Sequence, residues 1–297
     1  MFATPQPPFV IAAFYHFFAF PQFEAMREPL HERMVALGVK GSLLITAEGI
    51  NSTISGTREA VDAYMAYLQT EIVGGPIRWK ESLAPSQPFG KARVRLKKET
   101  ISIGEPVSME RFGHYVAPRD WNALIARDDV VVIDTRNDYE VNLGTFEGAV
   151  DPGIANFKHL PAWTRDHADT LRGKTIATFC TGGIRCEKYT SWLIDQGFDD
   201  VHHLEGGILQ YLEDVPPEES LWRGECFVFD ERIAVDHQLQ PSKTATLCLW
   251  CDHALTLEDQ QDPAYVKGKS CPHCLGAAAD AHDQPKRRTA FPGRTKF

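Results

Sequence analysis

Apolar positions in the first third of the chain alternate between the period of a strand and that of a helix. Residues 9–20 form an apolar run that predicts a strand, and residues 22–37 carry apolar side chains at helical spacing. The elements predicted after them are two strands joined by a turn at Glu48 and Gly49, a helix at 58–70, and strands at 77–81 and 92–98. The order β-α-β-β-α-β predicts a ferredoxin-like domain, which we bound at residues 1–117.

A second pattern begins near residue 118. Residues 130–134 and 175–179 are short, mostly apolar runs of the kind found in parallel strands buried on both faces. Helical spacing follows the second run. Strands that alternate with helices predict an α/β domain with a parallel sheet over residues 118–222.

The remaining chain shows little hydrophobic periodicity. Residues 223–279 carry two close cysteine pairs, and residues 280–297 are rich in Lys and Arg without an apolar pattern, which predicts a mobile basic tail. No apolar run approaches the roughly 20 residues that a membrane-spanning helix needs, and the N-terminus lacks the basic region of a secretory signal. We therefore expect a cytoplasmic protein with no membrane contact.

The charge of the chain is unevenly distributed, although its composition is that of an ordinary globular protein. The formal net charge of −9 disfavours nucleic acid on average. Four basic residues nevertheless alternate along one predicted strand, where alternate side chains share a face: Lys91, Arg93, Arg95 and Lys97. This row predicts phosphate contacts with RNA. The alternative is a solvated face whose positive charge is balanced by acidic residues of the third segment, which begins near residue 223.

A glycine-rich loop directly follows the second buried strand and precedes a helix. Its residues are Cys180, Thr181, Gly182, Gly183, Ile184 and Arg185. The unpaired N–H groups of a helix N-terminus and the guanidinium of Arg185 both lower the pKa of the Cys180 thiol. The loop therefore predicts a thiolate nucleophile that can carry a persulfide. A buried structural cysteine is the alternative. A cysteine phosphatase is a minor alternative, because the phosphate-binding loop of such an enzyme places its arginine six residues after the cysteine, whereas Arg185 follows Cys180 by five.

Two further cysteines lie outside any pair. Cys186, one turn into the predicted helix, is either a resolving thiol that forms a disulfide with Cys180 or a small buried thiol. Cys226 lies in a strand-like alternation and is expected to be a packed thiol. Nothing in the sequence places Cys226 near Cys180.

Two Cys-x-x-Cys pairs, separated by nineteen residues, mark the third segment. Their members are Cys248, Cys251, Cys271 and Cys274. This spacing is typical of a closed structural zinc site and predicts a zinc-ribbon-like segment. A redox-active dithiol is the chief alternative. No motif for a nucleotide cofactor is evident.

The motifs in combination resemble the rhodanese domain. Asp134, Thr135 and Arg136, followed by Tyr139 and Glu140, are similar to its DxR…E signature. Residues 144–149 and 204–207 resemble two of its turns, and the glycine-rich loop resembles its active site. With residues 44–56 and the cysteine pairs included, nearly the full chain resembles the rhodanese-containing tRNA uridine hydroxylases.

That resemblance implies an α/β protein, α+β overall, whose front domain is also acylphosphatase-like. It implies oxygen-dependent formation of 5-hydroxyuridine at the wobble position of tRNA, with molecular oxygen as co-substrate and Cys180 essential. We expect Asp134 and Arg136 to be an orienting ion pair. Two alternatives stay open, which are a sulfurtransferase that moves sulfane sulfur and a noncatalytic RNA-binding or redox-sensing module. The sequence indicates no protein partner.

Overall fold

Residues 9–229 and 232–275 are described by the computed structural model, which divides after Ser102 into two compact units. Each unit has a hydrophobic core of its own. None of the described helices is long and apolar enough to cross a membrane. The basic tail predicted at 280–297 lies outside the described residues, and the domain bounds proposed at 117 and 222 stay predictions.

The first unit is a five-stranded sheet with two helices packed on one face. Its elements are β1 (Phe9–Phe17), α1 (Arg27–Ala36), β2 (Lys40–Thr46), β3 (Gly49–Gly56), α2 (Arg58–Tyr67), β4 (Trp79–Ala84) and β5 (Ala92–Leu96), with a π-helical stretch at Leu68–Val73. The strand order is β4-β1-β3-β2-β5, in which only the β2–β5 pair is parallel. This is the predicted ferredoxin-like arrangement, with the strand predicted at 92–98 forming the edge as β5.

The turn between β2 and β3 forms where the sequence predicts it, at Glu48 and Gly49. Gly49 has a φ of 140°, and a Cβ there would lie 2.2 Å from the carbonyl oxygen of His16, so only glycine fits. The first helix, in contrast, begins at Arg27 and not at Gln22. Residues 21–26 form turns instead, and Phe20 just before them is buried in the core.

The second unit is built on a four-stranded parallel sheet with the order β6-β10-β9-β7. Its first elements are β6 (His114–Val116), α3 (Pro118–Ile125), β7 (Val130–Asp134), α4 (Asp138–Val141), β8 (Gly144–Phe146), α5 (Leu160–Asp166), α6 (Ala168–Leu171), β9 (Thr175–Phe179), α7 (Ile184–Asp195), β10 (Val201–Leu204) and α8 (Gly207–Asp214), with 3-10 turns at Phe157–His159 and Pro217–Glu219. All five residues of β9 are buried. The predicted α/β class with a parallel sheet is confirmed.

The cysteine-rich segment has only short elements. They are β11 (Trp222–Gly224), β12 (Cys226–Phe227), β13 (Ala234–Val235), β14 (Thr246–Leu247), β15 (Ala254–Leu255) and α9 (Leu257–Gln261). Strand β11 pairs with β8, and Cys226, Val228 and Val235 belong to the same core cluster as Phe179 of β9. The segment therefore contributes to the core of the second unit and also contains most of two smaller buried clusters.

Candidate active site and metal centre

The glycine-rich loop places the sulfur of Cys180 at the N-terminus of α7. Cys180 directly follows the buried strand β9, and α7 begins at Ile184. Gly183 precedes this helix with a φ of 95°, and its N–H lies 3.1 Å from Cys180 Sγ, to which it donates. A residue with a Cβ is strained at that φ, so glycine is what allows the backbone to turn its N–H onto the sulfur.

Cys180 is held as a thiolate. Burial alone would raise its pKa, but donation from the Cys186 thiol, the charge of Arg185 and the backbone N–H groups of both residues hold the pKa at about 5. Cys180 has no exposed surface, whereas Gly182 is exposed. At neutral pH the site therefore contains a buried anion at the base of a loop that reaches the surface.

Arg185 interacts with two buried anions, Cys180 and Glu140, of which the sequence predicted only the first. It lies beside Cys180, as predicted, and its Nη1 and Nη2 also donate to Glu140 at 2.6 and 2.7 Å. Burial would raise the pKa of Glu140, but the charge and hydrogen bonds of Arg185 lower it below its usual value. Glu140 is the site residue that our predicted set lacks, and its place in the DxR…E signature was the signal for it.

Asp134 and Arg136 form a fully buried ion pair with two hydrogen bonds, at 2.9 and 2.6 Å. Arg136 also donates to the carbonyl oxygens of Gly144, at 2.6 Å, and of Glu140, at 3.3 Å. The pair therefore fixes the backbone of the segment that carries Glu140. This geometry agrees with the orienting role that we expect for Asp134 and Arg136.

Cys186 lies beneath the loop as a protonated thiol. Burial and the neighbouring Cys180 anion raise its pKa well above the ordinary value. Its Sγ lies 3.5 Å from the hydroxyl oxygen of Thr135. A protonated thiol donates a hydrogen bond to an adjacent thiolate, whereas a resolving thiol has to ionise before it attacks. The raised pKa of Cys186 therefore favours a hydrogen-bond donor over a resolving cysteine.

The turn at residues 204–207 brings the start of α8 against the backbone of the glycine-rich loop. The N–H groups of Ile208 and Leu209, at the start of α8, donate to the carbonyl oxygens of Cys180 and Thr181 at 2.9 and 3.1 Å. A Cβ on Gly207 would lie 2.5 Å from the Cys180 carbonyl oxygen. Glycine is required there because two backbones meet at van der Waals contact.

The cysteine-rich segment also reaches the loop, which the sequence did not indicate. The hydroxyl of Thr181 donates to the carbonyl oxygen of Phe227 at 3.5 Å, and the Arg185 guanidinium lies 5.9 Å from the ring centroid of Phe229. Cys226 is fully buried beside this contact, and burial raises its pKa to about 12. It is the packed, protonated thiol that we expect.

The basic strand β5 projects alternate side chains, as predicted. Arg93 and Arg95 share a face, and Val94 between them points into the core. Lys91 and Lys97 lie just outside the strand, but hydrogen bonds to Gly41 and Ile45 of β2, at 3.0 and 3.1 Å, continue the ladder through both lysines.

The four paired cysteines converge into one cluster. Their Sγ atoms, from Cys248, Cys251, Cys271 and Cys274, all lie within 4.8 Å of one another. All but Cys251 are buried. The nearby ring of His273 donates or accepts at Asp259, 3.0 Å away, and so is engaged elsewhere. The four sulfurs alone could hold one metal ion.

Two family models match this chain. A UPF0176 acylphosphatase like domain matches residues 9–100, and a Rhodanese-like domain matches residues 117–214. The first covers the ferredoxin-like sheet and the second covers the parallel sheet with the Cys180 loop.

The chain is also similar over most of its length to curated proteins named tRNA uridine(34) hydroxylase. It is 50% identical to the protein of Jannaschia sp. (strain CCS1) over 92% of this chain and 91% of that protein. It is 48% identical to the Brucella ovis protein over 97% of this chain and 93% of that protein. It is 47% identical to the Mesorhizobium japonicum protein over 95% and 92% of the two chains.

We predict that Cys186→Ala raises the midpoint at which Cys180 ionises, from about 5 by roughly one pH unit, because a thiolate loses a hydrogen-bond donor. Cys186→Ser keeps a donor and should shift the midpoint less. The measurement is a pH titration of thiolate ultraviolet absorbance, with Cys180→Ser as the subtracted reference. An unchanged midpoint in Cys186→Ala would contradict the donor role.

We predict that Glu140→Gln destabilises the second unit by about 3 to 5 kcal/mol, because it leaves the buried guanidinium of Arg185 without the carboxylate to which it is hydrogen-bonded. The matched control is Glu147→Gln, which breaks the exposed ion pair with Arg223 and should change stability little. Urea denaturation of both variants measures the difference. Equal effects of the two substitutions would show that burial does not set the cost.

Proposed function

This chain belongs to the tRNA uridine(34) hydroxylases, and from that premise we propose how its own residues serve the reaction. It is an enzyme that hydroxylates uridine 34, the wobble nucleotide of tRNA. The observation that supports a role for the second unit is the Cys180 anion, held at a pKa of about 5 at the foot of an exposed loop. Such a thiolate stays ionised at neutral pH and is therefore available as a nucleophile.

In our proposal Cys180 Sγ adds to C6 of the uracil ring, which makes C5 electron-rich. Carbon 5 then takes up one oxygen atom from molecular oxygen, and the other leaves as water with two electrons and two protons from an external reductant. Loss of the C5 proton and expulsion of Sγ release 5-hydroxyuridine and regenerate the thiolate. Arg185 and the Gly183 N–H stabilise the anion before it attacks and after it leaves.

The contact with tRNA is proposed to involve the basic row of the first unit. Lys91, Arg93, Arg95 and Lys97 would bind phosphates, because their charges lie along one strand and the relatives are named for a tRNA substrate. We place the protein in the cytoplasm, where it would meet that substrate.

The four-cysteine cluster is proposed to bind a structural zinc ion. Four thiolates within 4.8 Å of one another suit tetrahedral coordination and leave no open ligand position for catalysis. Only a few residues are buried in the two small clusters around it. Zinc would therefore hold in place a segment that contributes Cys226 and Val228 to the core of the second unit.

Deleting the gene is expected to abolish 5-hydroxyuridine in tRNA that depends on this enzyme, and wild type should restore it while Cys180→Ala should not. The nucleophile is absent in the variant, so restoration should fall to the level of the empty vector. Nucleoside mass spectrometry of isolated tRNA measures the outcome. Hydroxyuridine that persists with Cys180→Ala would remove Cys180 from the mechanism, and a change in thiouridine alone would favour the sulfurtransferase alternative.

We expect Cys271→Ser to lose bound zinc and to lower the melting temperature of the second unit by about 5 °C or more, because metal binding adds to folding free energy. Cys226→Ser is the matched control and should retain the metal, since Cys226 lies outside the cluster. Elemental analysis and calorimetry of the purified proteins give both readings. Equal zinc content in the two variants would contradict the assignment.

A further inference from the structure

The ring of Phe229 lies beside the glycine-rich loop and is half exposed. Its exposed fraction is 51%, although its neighbours Phe227 and Val228 each belong to a buried cluster. Single exposed apolar side chains are normal on protein surfaces, so this exposure alone indicates no function. The ring is distinguished by its position next to Arg185, which in turn lies beside the Cys180 thiolate.

Hydrogen bonds fix the backbone that carries Phe229 relative to the loop. The Thr181 hydroxyl donates to the carbonyl oxygen of Phe227 at 3.5 Å. Phe227 lies on β12, which pairs with β13, and the N–H of Val228 donates to the carbonyl oxygen of Ile233 at 2.8 Å. Because the residues before it are held in this way, the ring of Phe229 keeps its place beside the loop.

The contacts of the Phe229 ring leave part of its surface open. Phe227 meets the ring edge to face, with centroids 5.1 Å apart and an angle of 82° between the planes. The Arg185 guanidinium lies 5.9 Å from the ring centroid. These contacts support the ring from the protein side, and its exposed part is a flat apolar surface on which another planar ring can stack.

Gly182 leaves an opening in the loop two residues after Cys180. A Cβ at Gly182 would have no neighbour within 4 Å, and the residue is exposed. Its φ lies outside the left-handed region, unlike that of Gly183, so the backbone accepts a larger residue there. Backbone strain therefore does not require glycine at this position, and the absent side chain leaves room for a ligand beside the loop.

We propose that Phe229 and Gly182 form the subsite for the target base, in which the uracil occupies the opening at Gly182 and stacks on the Phe229 ring. Sγ of Cys180 adds to C6 perpendicular to the plane of the base, so the sulfur takes one face and leaves the other to the aromatic ring. The inference rests on the proposed function, because it assigns a binding site for that reaction's substrate. Phe229 lies beyond residues 117–214, the part of the chain that matches the Rhodanese-like domain.

The chemistry of this subsite suits a base that has left its stack in the RNA. Enzymes that act on a base extrude it and hold it against aromatic or apolar side chains, and an unpaired loop nucleotide pays the least for this. Stacking tolerates every base, since each has a π-face. Phe229 therefore holds and orients the base, while addition of Cys180 Sγ at C6 restricts the reaction to a pyrimidine.

The experiment is a double-mutant cycle between Phe229 and the base. Fluorescence anisotropy measures binding of the full chain to two anticodon stem–loop RNAs, of which one has uridine at position 34 and the other an abasic ribose there. No reductant is added, so the RNA is not consumed. Phe229→Leu keeps apolar bulk and removes the aromatic ring, so it should weaken binding of the uridine RNA by about ten-fold and leave binding of the abasic RNA unchanged.

Further variants separate stacking from a general effect on the surface. Phe229→Tyr keeps the ring and should bind the uridine RNA within about two-fold of wild type. Leu257→Ala on α9 removes an apolar side chain of similar exposure, 53%, and should change neither affinity. Gly182→Val fills the opening, so it should weaken binding of the uridine RNA alone. Circular dichroism melts confirm that the variants fold, and thiolate absorbance should show that Cys180 ionises in Phe229→Leu as in wild type.

Unchanged affinity of Phe229→Leu for the uridine RNA would overturn the subsite. Equal losses for the two RNAs would overturn it too, and with a shifted Cys180 titration they would assign the ring to shielding Arg185. Cross-linking with 4-thiouridine at position 34 gives an independent reading and should label the wild-type peptide that contains Phe229. The proposed function fails separately, if wild type forms no hydroxyuridine in the gene-deletion assay, because the binding cycle does not depend on turnover.

Discussion

The active site depends on one constraint, which is that a charge buried in a protein has to be compensated by charge and hydrogen bonds. The Cys180 thiolate is fully buried, and Arg185 beside it is shared with the buried carboxylate of Glu140. Glu140 is in turn positioned by the second buried pair, Asp134 and Arg136. Each buried ion costs several kcal/mol to desolvate, so loss of any member leaves its neighbour uncompensated and disturbs the whole array.

This array explains why the glycine-rich loop, the DxR…E segment and the turn at 204–207 occur together. The loop supplies the sulfur and its N–H donors, and the DxR…E segment supplies the counter-charge for Arg185. The turn lets the start of α8 donate to the Cys180 carbonyl. The cysteine-rich segment closes the assembly through Phe227. A thiolate with a low pKa is therefore a property of four chain segments and not of the loop alone.

The two units offer a nucleic-acid substrate contrasting surfaces. The second unit keeps the Cys180 thiolate out of solvent, where the electrostatic interactions that lower its pKa are strongest. The first unit carries the basic strand β5, on which Arg93 and Arg95 share a face opposite the core residue Val94. Overall negative charge is compatible with RNA binding because the positive charge lies along one strand, β5, and local potential governs contact.

The sequence by itself determined the strands β7 and β9, the βαββαβ order, the glycine-rich loop and the two cysteine pairs. Each of these features depends on residues that are close together along the chain. Apolar runs and Cys-x-x-Cys spacing are local patterns, so they can be recognised directly in the sequence. The predicted start of α1 was wrong by five residues, since residues 21–26 form turns although their apolar side chains keep helical spacing. Only the tertiary structure decided that Glu140 partners Arg185, that Cys186 donates to Cys180, and that Thr181 donates to Phe227 of the cysteine-rich segment. These are contacts between distant segments, which depend on strand register and on pairing buried charges.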